Sequence, residues 1–157
     1  MQKDNPVHFT PPADGSIRRA TLADASIIFQ FICDLENQTL DSALFLAVFE
    51  RNLANPQIHY LIAVQADEPV GFVSCHIQYL LHHTGKVGEI QELYVHPNWR
   101  KQRIGQQLLD AVAQIGTEEG LVNLEVTTNQ KRVDTLRFYE RESFLCTHYK
   151  LVKSVSF

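Results

Sequence analysis

The stretch from Leu93 to Leu109 changes its hydrophobic rhythm midway, and that change limits the folds open to the chain. Up to His96 the residues form a short, largely apolar run of the kind that makes a strand. From Ile104 onward, Leu108, Leu109, Val112 and Ile115 recur at helical spacing. Between them lies the polar connection Pro97-Asn-Trp-Arg-Lys-Gln-Arg103. Gly120 ends the helix, and Leu121 to Thr127 reads as a second strand. Strand, helix and strand in this order form a right-handed crossover over residues 89–127, which pairs the two strands in parallel. The class is therefore α/β.

The rest of the chain fits around that unit. Thr21-Leu-Ala-Asp24 has the form of a capping box ahead of Ile27, Ile28, Phe31, Ile32 and Leu35. Asp41 predicts the N-cap of a second helix carrying Leu44, Phe45, Val48, Phe49 and Leu53, which stops before Pro56. Ile58 to Val64 and Val70 to Leu80 predict an antiparallel pair around the turn Ala66-Asp-Glu-Pro69, and a third strand runs from about Gly88 to His96. Beyond the crossover, a short helix from Val133 to Arg141 and a closing strand from Phe144 to Val152 are expected. The predicted order is helix, helix, three strands, helix, strand, helix, strand. Residues 1–15 hold three of the six prolines and read as a tail, leaving residues 16–157 as the domain.

A chain of 157 residues has room for one core. No apolar run reaches the ~18–20 residues that would span a bilayer, and residues 1–15, without an apolar h-region, are not expected to act as a secretory signal. The net charge of −4 opposes nucleic acid as a partner. Two short basic clusters, Arg100-Lys101 with Arg103 and Lys131-Arg132 with Arg137 and Arg141, suit a compact anion instead. Cys33, Cys75 and Cys146 are odd in number and widely spaced, which fits small buried residues in a reducing compartment. A cytoplasmic protein without membrane contact is the expectation.

Ligands of such sheets gather at the carboxyl ends of the strands, here near His96 and Thr127. A helix that begins there presents unpaired amides and the positive end of its dipole, and Gly105 lets a bound group approach the backbone. Flanked by Arg100, Lys101 and Arg103, this makes a cradle for a pyrophosphate. The same segment resembles the coenzyme A motif of the GNAT superfamily of N-acetyltransferases, R/Q-x-x-G-x-G/A ahead of a helix. Arg100 and Gly105 fill its first and last places, and Arg103 stands where the middle glycine is usual. Asn129, Phe138-Tyr139-Glu140 and Phe144 resemble the family's Asn…FYE…GF block, with Ser143 in place of its glycine. The likeness covers nearly all of Ser16 to Val152. Within the superfamily, His82-His83, Gly88-Glu-Ile-Gln-Glu-Leu93, Thr128-Asn129, Lys131-Arg132, Asp134 and Arg137-Phe-Tyr139 are most similar to the aminoalkylphosphonate N-acetyltransferases.

The resemblance implies a single-domain, GNAT-like mixed sheet, mostly antiparallel, flanked by helices. It implies acetyl-CoA as cosubstrate and a small anionic amine, an aminoalkylphosphonate, as acceptor. It also associates a divalent metal with the subgroup, with no ligands assigned. Dimers are common in the superfamily, though no residue pattern here calls for one. By the same resemblance, the backbone of Leu93, Tyr94 and Val95 pairs with the pantetheine arm, and the phosphates lie on Arg100, Lys101, Gln102, Arg103, Ile104, Gly105 and Gln106. Asn129, Thr135, Phe138 and Tyr139 line the rest of the cofactor. Glu89 takes the place of the general base, with Glu92 as second candidate on the opposite face if strand alternation holds, and Tyr139 that of the acid that protonates the departing thiolate. His83, Lys131 and Arg132 are candidates for the acceptor's anion, and His82, His83 and Glu89 are near enough in sequence for a small metal site.

Four other readings stand beside this one. Another small amine, such as an aminoglycoside or a polyamine, is the alternative acceptor, but a polycation calls for an acidic pocket. Acetylation of protein termini would need a long open groove. A non-catalytic acetyl-CoA sensor would keep the loop without needing Glu89 and Tyr139, and both are present. A dinucleotide-binding domain would carry its glycine fingerprint after the first strand, which this chain lacks.

Overall fold

The computed structural model describes residues 15–156. Its five strands are β1 (Gly15–Arg19), β2 (Ile58–Gln65), β3 (Glu68–Leu80), β4 (Gly85–Val95) and β5 (Asn123–Val126). They lie in sequential order in one sheet, antiparallel from β1 to β4 and parallel between β4 and β5. The helices are α1 (Ala25–Glu36), α2 (Ser42–Leu53), α3 (Ile104–Glu119) and α4 (Val133–Arg141). The β2–β3 turn places Ala66 and Asp67 at φ 47° and 62°, the left-handed pair that matches a hairpin's twist.

Helix starts follow their caps. Asp41 accepts the Leu44 amide at 2.9 Å ahead of α2. Before α1, the Asp24 carboxylate accepts the Thr21 amide at 2.8 Å and both arms of the Arg18 guanidinium at 2.8 Å. That bidentate pair holds the Asp24 carboxyl below its usual range. It also ties α1 to β1.

The sheet is covered on both faces. Leu61, Ile62 and Ala63 are consecutive and all buried, so β2 has no solvent side at its centre. On one face Val73, Ile90, Leu108, Val112 and Ile115 form the core beneath α3. On the other, Ile28, Phe31, Phe49, Ile62, Phe72 and Tyr94 form the core beneath α1 and α2.

The structure differs from the sequence reading at both ends. A first strand, β1, precedes the helices; it pairs along β2 from Gly15↔Gln65 to Arg19↔Leu61. Its apolar signal is a single residue, Ile17, hidden between Ser16 and two arginines. The closing strand expected over residues 144–152 is not formed. Leu145, Tyr149 and Leu151 alternate as a strand would, but they stand 84–99% exposed with no ladder beside them. Alternation supplies a face, whereas a strand also needs a partner edge. Cys146 belongs to this segment and is exposed, unlike the buried Cys75. The tail expected over residues 1–15 lies outside the described residues apart from Gly15.

Two non-glycine residues occupy left-handed backbone at the places where the family motifs carry glycine. Arg103 caps α3 at φ 63°, and Ser143 follows α4 at φ 69°, where the Phe144 amide returns to the Tyr139 carbonyl at 3.0 Å. This conformation costs an L-residue about 1–2 kcal/mol, partly offset in a glycine variant by its freer unfolded chain. Arg103→Gly and Ser143→Gly should each raise stability by roughly 0.5–1 kcal/mol, or about 1–4 °C in Tm for a chain of this size. Calorimetry showing either variant at or below the parent would contradict that account.

Candidate active site

β4 and β5 pair only from Val87↔Asn123 to Ile90↔Val126 and then part. On its other edge β4 stays paired with β3 as far as Gly71↔Val95. The divergence leaves a wedge whose wall is the free side of β4. The His96 amide bonds to Val70 in β3 at 2.8 Å, so by alternation the peptide groups of Leu93 and Val95 point into the wedge, while Tyr94's points to β3. The first turn of α3 closes its end. The first bond of that helix runs from the Gln107 amide to the Arg103 carbonyl at 3.0 Å, which leaves the amides of Ile104, Gly105 and Gln106 outside the helical ladder. Arg100, Lys101 and Arg103 are exposed around them.

Gly105 earns its place by packing. A Cβ there would stand 3.3 Å from the Phe138 ring, which lies across α3's first turn from α4. Phe138 stacks edge-on with Tyr139, and Tyr139 with Phe144. Burial pushes the Tyr139 phenol up to about 12, so it holds its proton throughout the physiological range. Arg100 Nε donates to the Val95 carbonyl at 3.0 Å, one of the groups facing the wedge. Gln102 reaches the Asn98 carbonyl, Asn129 accepts the Lys131 amide at 2.9 Å in a local turn, and Thr135 is half-buried on α4.

The two carboxylates of β4 do not face opposite ways. Ser74 pairs with Glu92 and Cys75 with Ile90, so Gln91 is an extra residue, a bulge. It resets the alternation. Glu89, opposite His76, and Glu92, opposite Ser74, therefore both project to the α1/α2 face. Ser74 is fully buried, donates to the Glu92 carboxylate and accepts the Glu92 amide at 3.0 Å. Glu89 accepts from Thr127 Oγ1 at 3.4 Å across the root of the wedge.

On that face a cleft of about 560 Å³ opens between α1, α2 and the sheet. Phe45, Phe49, Tyr60 and Phe72 supply its aromatic walls; Glu92, Gln91, His76, Asp41 and Asn52 supply its polar groups. Asn52 donates to the Tyr60 hydroxyl at 2.6 Å. Sequence reasoning missed Ser74, His76 and the aromatic walls, because nothing local distinguishes a serine or histidine in a strand from its neighbours.

The expected anion site is not assembled on this cleft, since His83, Lys131 and Arg132 are absent from its lining. His83 Nε2 pairs with Glu125 at 3.2 Å, and its Nδ1 lies 3.3 Å from Asn123. Arg132 donates to the Leu35 carbonyl at 2.7 Å, joining the start of α4 to the end of α1. A divalent metal does not fit either. Among the described residues no three His, Cys, Asp or Glu side chains stand close enough to hold one, and His83 meets a single carboxylate, that of Glu125.

The sequence model of the acetyltransferase (GNAT) family matches residues 27–144. The chain belongs to that family. An aminoalkylphosphonate N-acetyltransferase of Salmonella typhimurium is 40% identical over 139 residues, which span 88% of this chain and 90% of that enzyme. Among solved structures, a transcriptional regulator from Bacillus halodurans superposes with a TM-score of 0.83 at 24% identity, covering 89% of this chain and 99% of that one. An aminoglycoside N-acetyltransferase AAC(6')-Iy in complex with CoA superposes with a TM-score of 0.81 at 18% identity, covering 93% and 98%. These two likenesses show the fold. The family and the Salmonella relative make this chain an acetyl-CoA-dependent N-acetyltransferase. Among its described residues no helix is long and apolar enough to cross a membrane.

Proposed function

We propose that this acetyltransferase moves the acetyl group of acetyl-CoA onto the primary amine of an aminoalkylphosphonate. The observation that carries the substrate is the 40% identity to the Salmonella enzyme across almost the whole of both chains. The wedge supports the cofactor's course. Pantetheine extends along the peptide groups of Leu93 and Val95 as an added strand, and the pyrophosphate meets the amides of Ile104, Gly105 and Gln106 among Arg100, Lys101 and Arg103. Arg100 must then release the Val95 carbonyl, which frees its guanidinium for a phosphate.

The amine arrives as an ammonium of pKa ~10 and must lose a proton before it attacks. Glu89 takes that proton, directly or through water, at the root of the wedge. Glu92, fixed by Ser74, holds the ammonium in the cleft. Nitrogen attacks the thioester carbon, and a backbone amide of Leu93 to Val95 steadies the oxyanion. The C–S bond breaks, the thiolate takes the Tyr139 proton, and the excess proton on the acylated nitrogen passes through water to restore the phenol, leaving the neutral amide and coenzyme A. Asn129, Thr135 and Phe138 flank the cofactor arm. Lys131, exposed at the start of α4, receives the phosphonate; Arg132 and His83 join it only once they release the Leu35 carbonyl and the Glu125 carboxylate.

One observation favours a second reading. The cleft beside Glu92 is aromatic, and histidine is the most basic residue lining it. An amine with an apolar body would match those walls better than a phosphonate. Coenzyme A release should be followed with aminomethyl- and aminoethylphosphonate, phenethylamine, a polyamine and an aminoglycoside. The phosphonate reading predicts kcat/KM at least about tenfold above the others, a difference of ~1.4 kcal/mol. Preference for phenethylamine would replace the acceptor and keep the enzyme class.

Two variants test the roles. Glu89→Gln should lower kcat by roughly 10²–10⁴ and move the rising limb of the pH–rate profile toward alkaline pH; an unmoved profile would pass the base role to Glu92. Tyr139→Phe should lower kcat while the Kd for acetyl-CoA, read by titration calorimetry, stays within about a factor of two. Full turnover by that variant would remove Tyr139 from the proton path.

A further inference from the structure

Arg132 links the two walls of the wedge. Its backbone is fixed on the β5 side, where its amide bonds to the Asn129 carbonyl at 2.8 Å and its carbonyl accepts the Leu136 amide at 3.1 Å. Its guanidinium reaches the β4 side, 2.7 Å from the Leu35 carbonyl and 3.9 Å from the Glu36 carboxylate in the last turn of α1. That turn is held to β4 by Tyr94, whose ring stacks on Phe31 with centroids 4.9 Å apart and whose hydroxyl donates to Asp34 at 2.9 Å. Tyr94 stands between Leu93 and Val95, whose peptide groups face the wedge. The wedge is thus crossed in three places: by Thr127 and Glu89 at its root, by Phe138 over Gly105 at its end, and by Arg132 from α4 to α1.

The Leu35 carbonyl suits a cation. The amides of Asn37 and Gln38 close on the carbonyls of Asp34 and Cys33, and among the described residues the Leu35 carbonyl has no backbone partner. It also lies at the negative end of the α1 dipole. A carbonyl is nevertheless a neutral partner, and a guanidinium binds an oxyanion more strongly, through two parallel hydrogen bonds. We infer that Arg132 is a positioning residue for the cofactor: bound to Leu35 it straps the pantetheine arm into the wedge, and it opens when an anion on the acceptor takes its guanidinium. The opening step rests on the phosphonate reading; the strap does not. Because coupling between two bound ligands is reciprocal, an acceptor that opens the strap also loosens the coenzyme, and release of coenzyme A follows occupancy of the acceptor site.

Neither step requires turnover, so the test uses ligands that do not react. The full chain is loaded with fluorescent etheno-coenzyme A and chased with excess acetyl-CoA in a stopped-flow instrument, where the fall in anisotropy reads dissociation. Arg132→Met keeps an unbranched stem and removes the donors; it should release the coenzyme at least about tenfold faster than the parent. Methylphosphonate, an anion without an amine, should speed release from the parent at constant ionic strength and leave the variant's rate unchanged. Should methionine disturb folding, seen by circular dichroism, Arg132→Gln, too short to reach Leu35, serves in its place. A variant within about a factor of two of the parent, a parent indifferent to methylphosphonate, or an anion effect that persists without Arg132 would each overturn the inference. Acetylation of aminoalkylphosphonates is read separately by coenzyme A release, so the loss of that reading is not mistaken for the loss of the strap.

Discussion

The extra residue in β4 sets the arrangement of everything around it. Gln91 has no partner in β3, so the strand kinks where β5 leaves it. Without the bulge, Glu92 would point into the core beneath α3, and burying an unpaired carboxylate there would cost several kcal/mol. With it, both carboxylates reach the acceptor face, and Ser74 meets the needs of Glu92's carboxylate and amide together. The shared face of the two carboxylates is a consequence of one inserted residue, which stands where the wedge opens.

Much of the fold was legible because its signals are local. Asp41 and the Thr21–Asp24 pair mark helix starts through hydrogen bonds that close within three residues. Gly120 marks the end of α3 by adopting φ 70°. The crossover was legible because a strand-to-helix change of period admits few topologies. The pieces that escaped depend on partners distant in sequence. β1 is a strand because β2 is beside it, not because of its own composition. The C-terminal segment has the pattern without a partner in the same chain.

The site divides in the same way. Arg100 to Gln106 could be placed on a helix start from sequence, since loop and helix are contiguous. The face of Glu92 could not, because a bulge is a mismatch between two strands and neither shows it alone. His83, Lys131 and Arg132 looked like a group because all are basic, yet the fold commits His83 to Glu125 and Arg132 to the Leu35 carbonyl. Charge along a sequence says nothing about which carbonyl or carboxylate will be nearest in space.

Beyond the bulge, β4 uses its parts for separate purposes. The side chains of Leu93 and Val95 pack with the core under α3, and Tyr94 fills the core under α1 and donates to Asp34 at 2.9 Å. Only peptide groups face the wedge. A ligand read through them is indifferent to side-chain identity, so mutation at these positions tests packing and not recognition. The cleft under α1 and α2 is read through side chains, where one substitution rewrites shape and charge. Mutational robustness on one side of the sheet and mutational freedom on the other let such a scaffold keep its cofactor while its acceptor drifts.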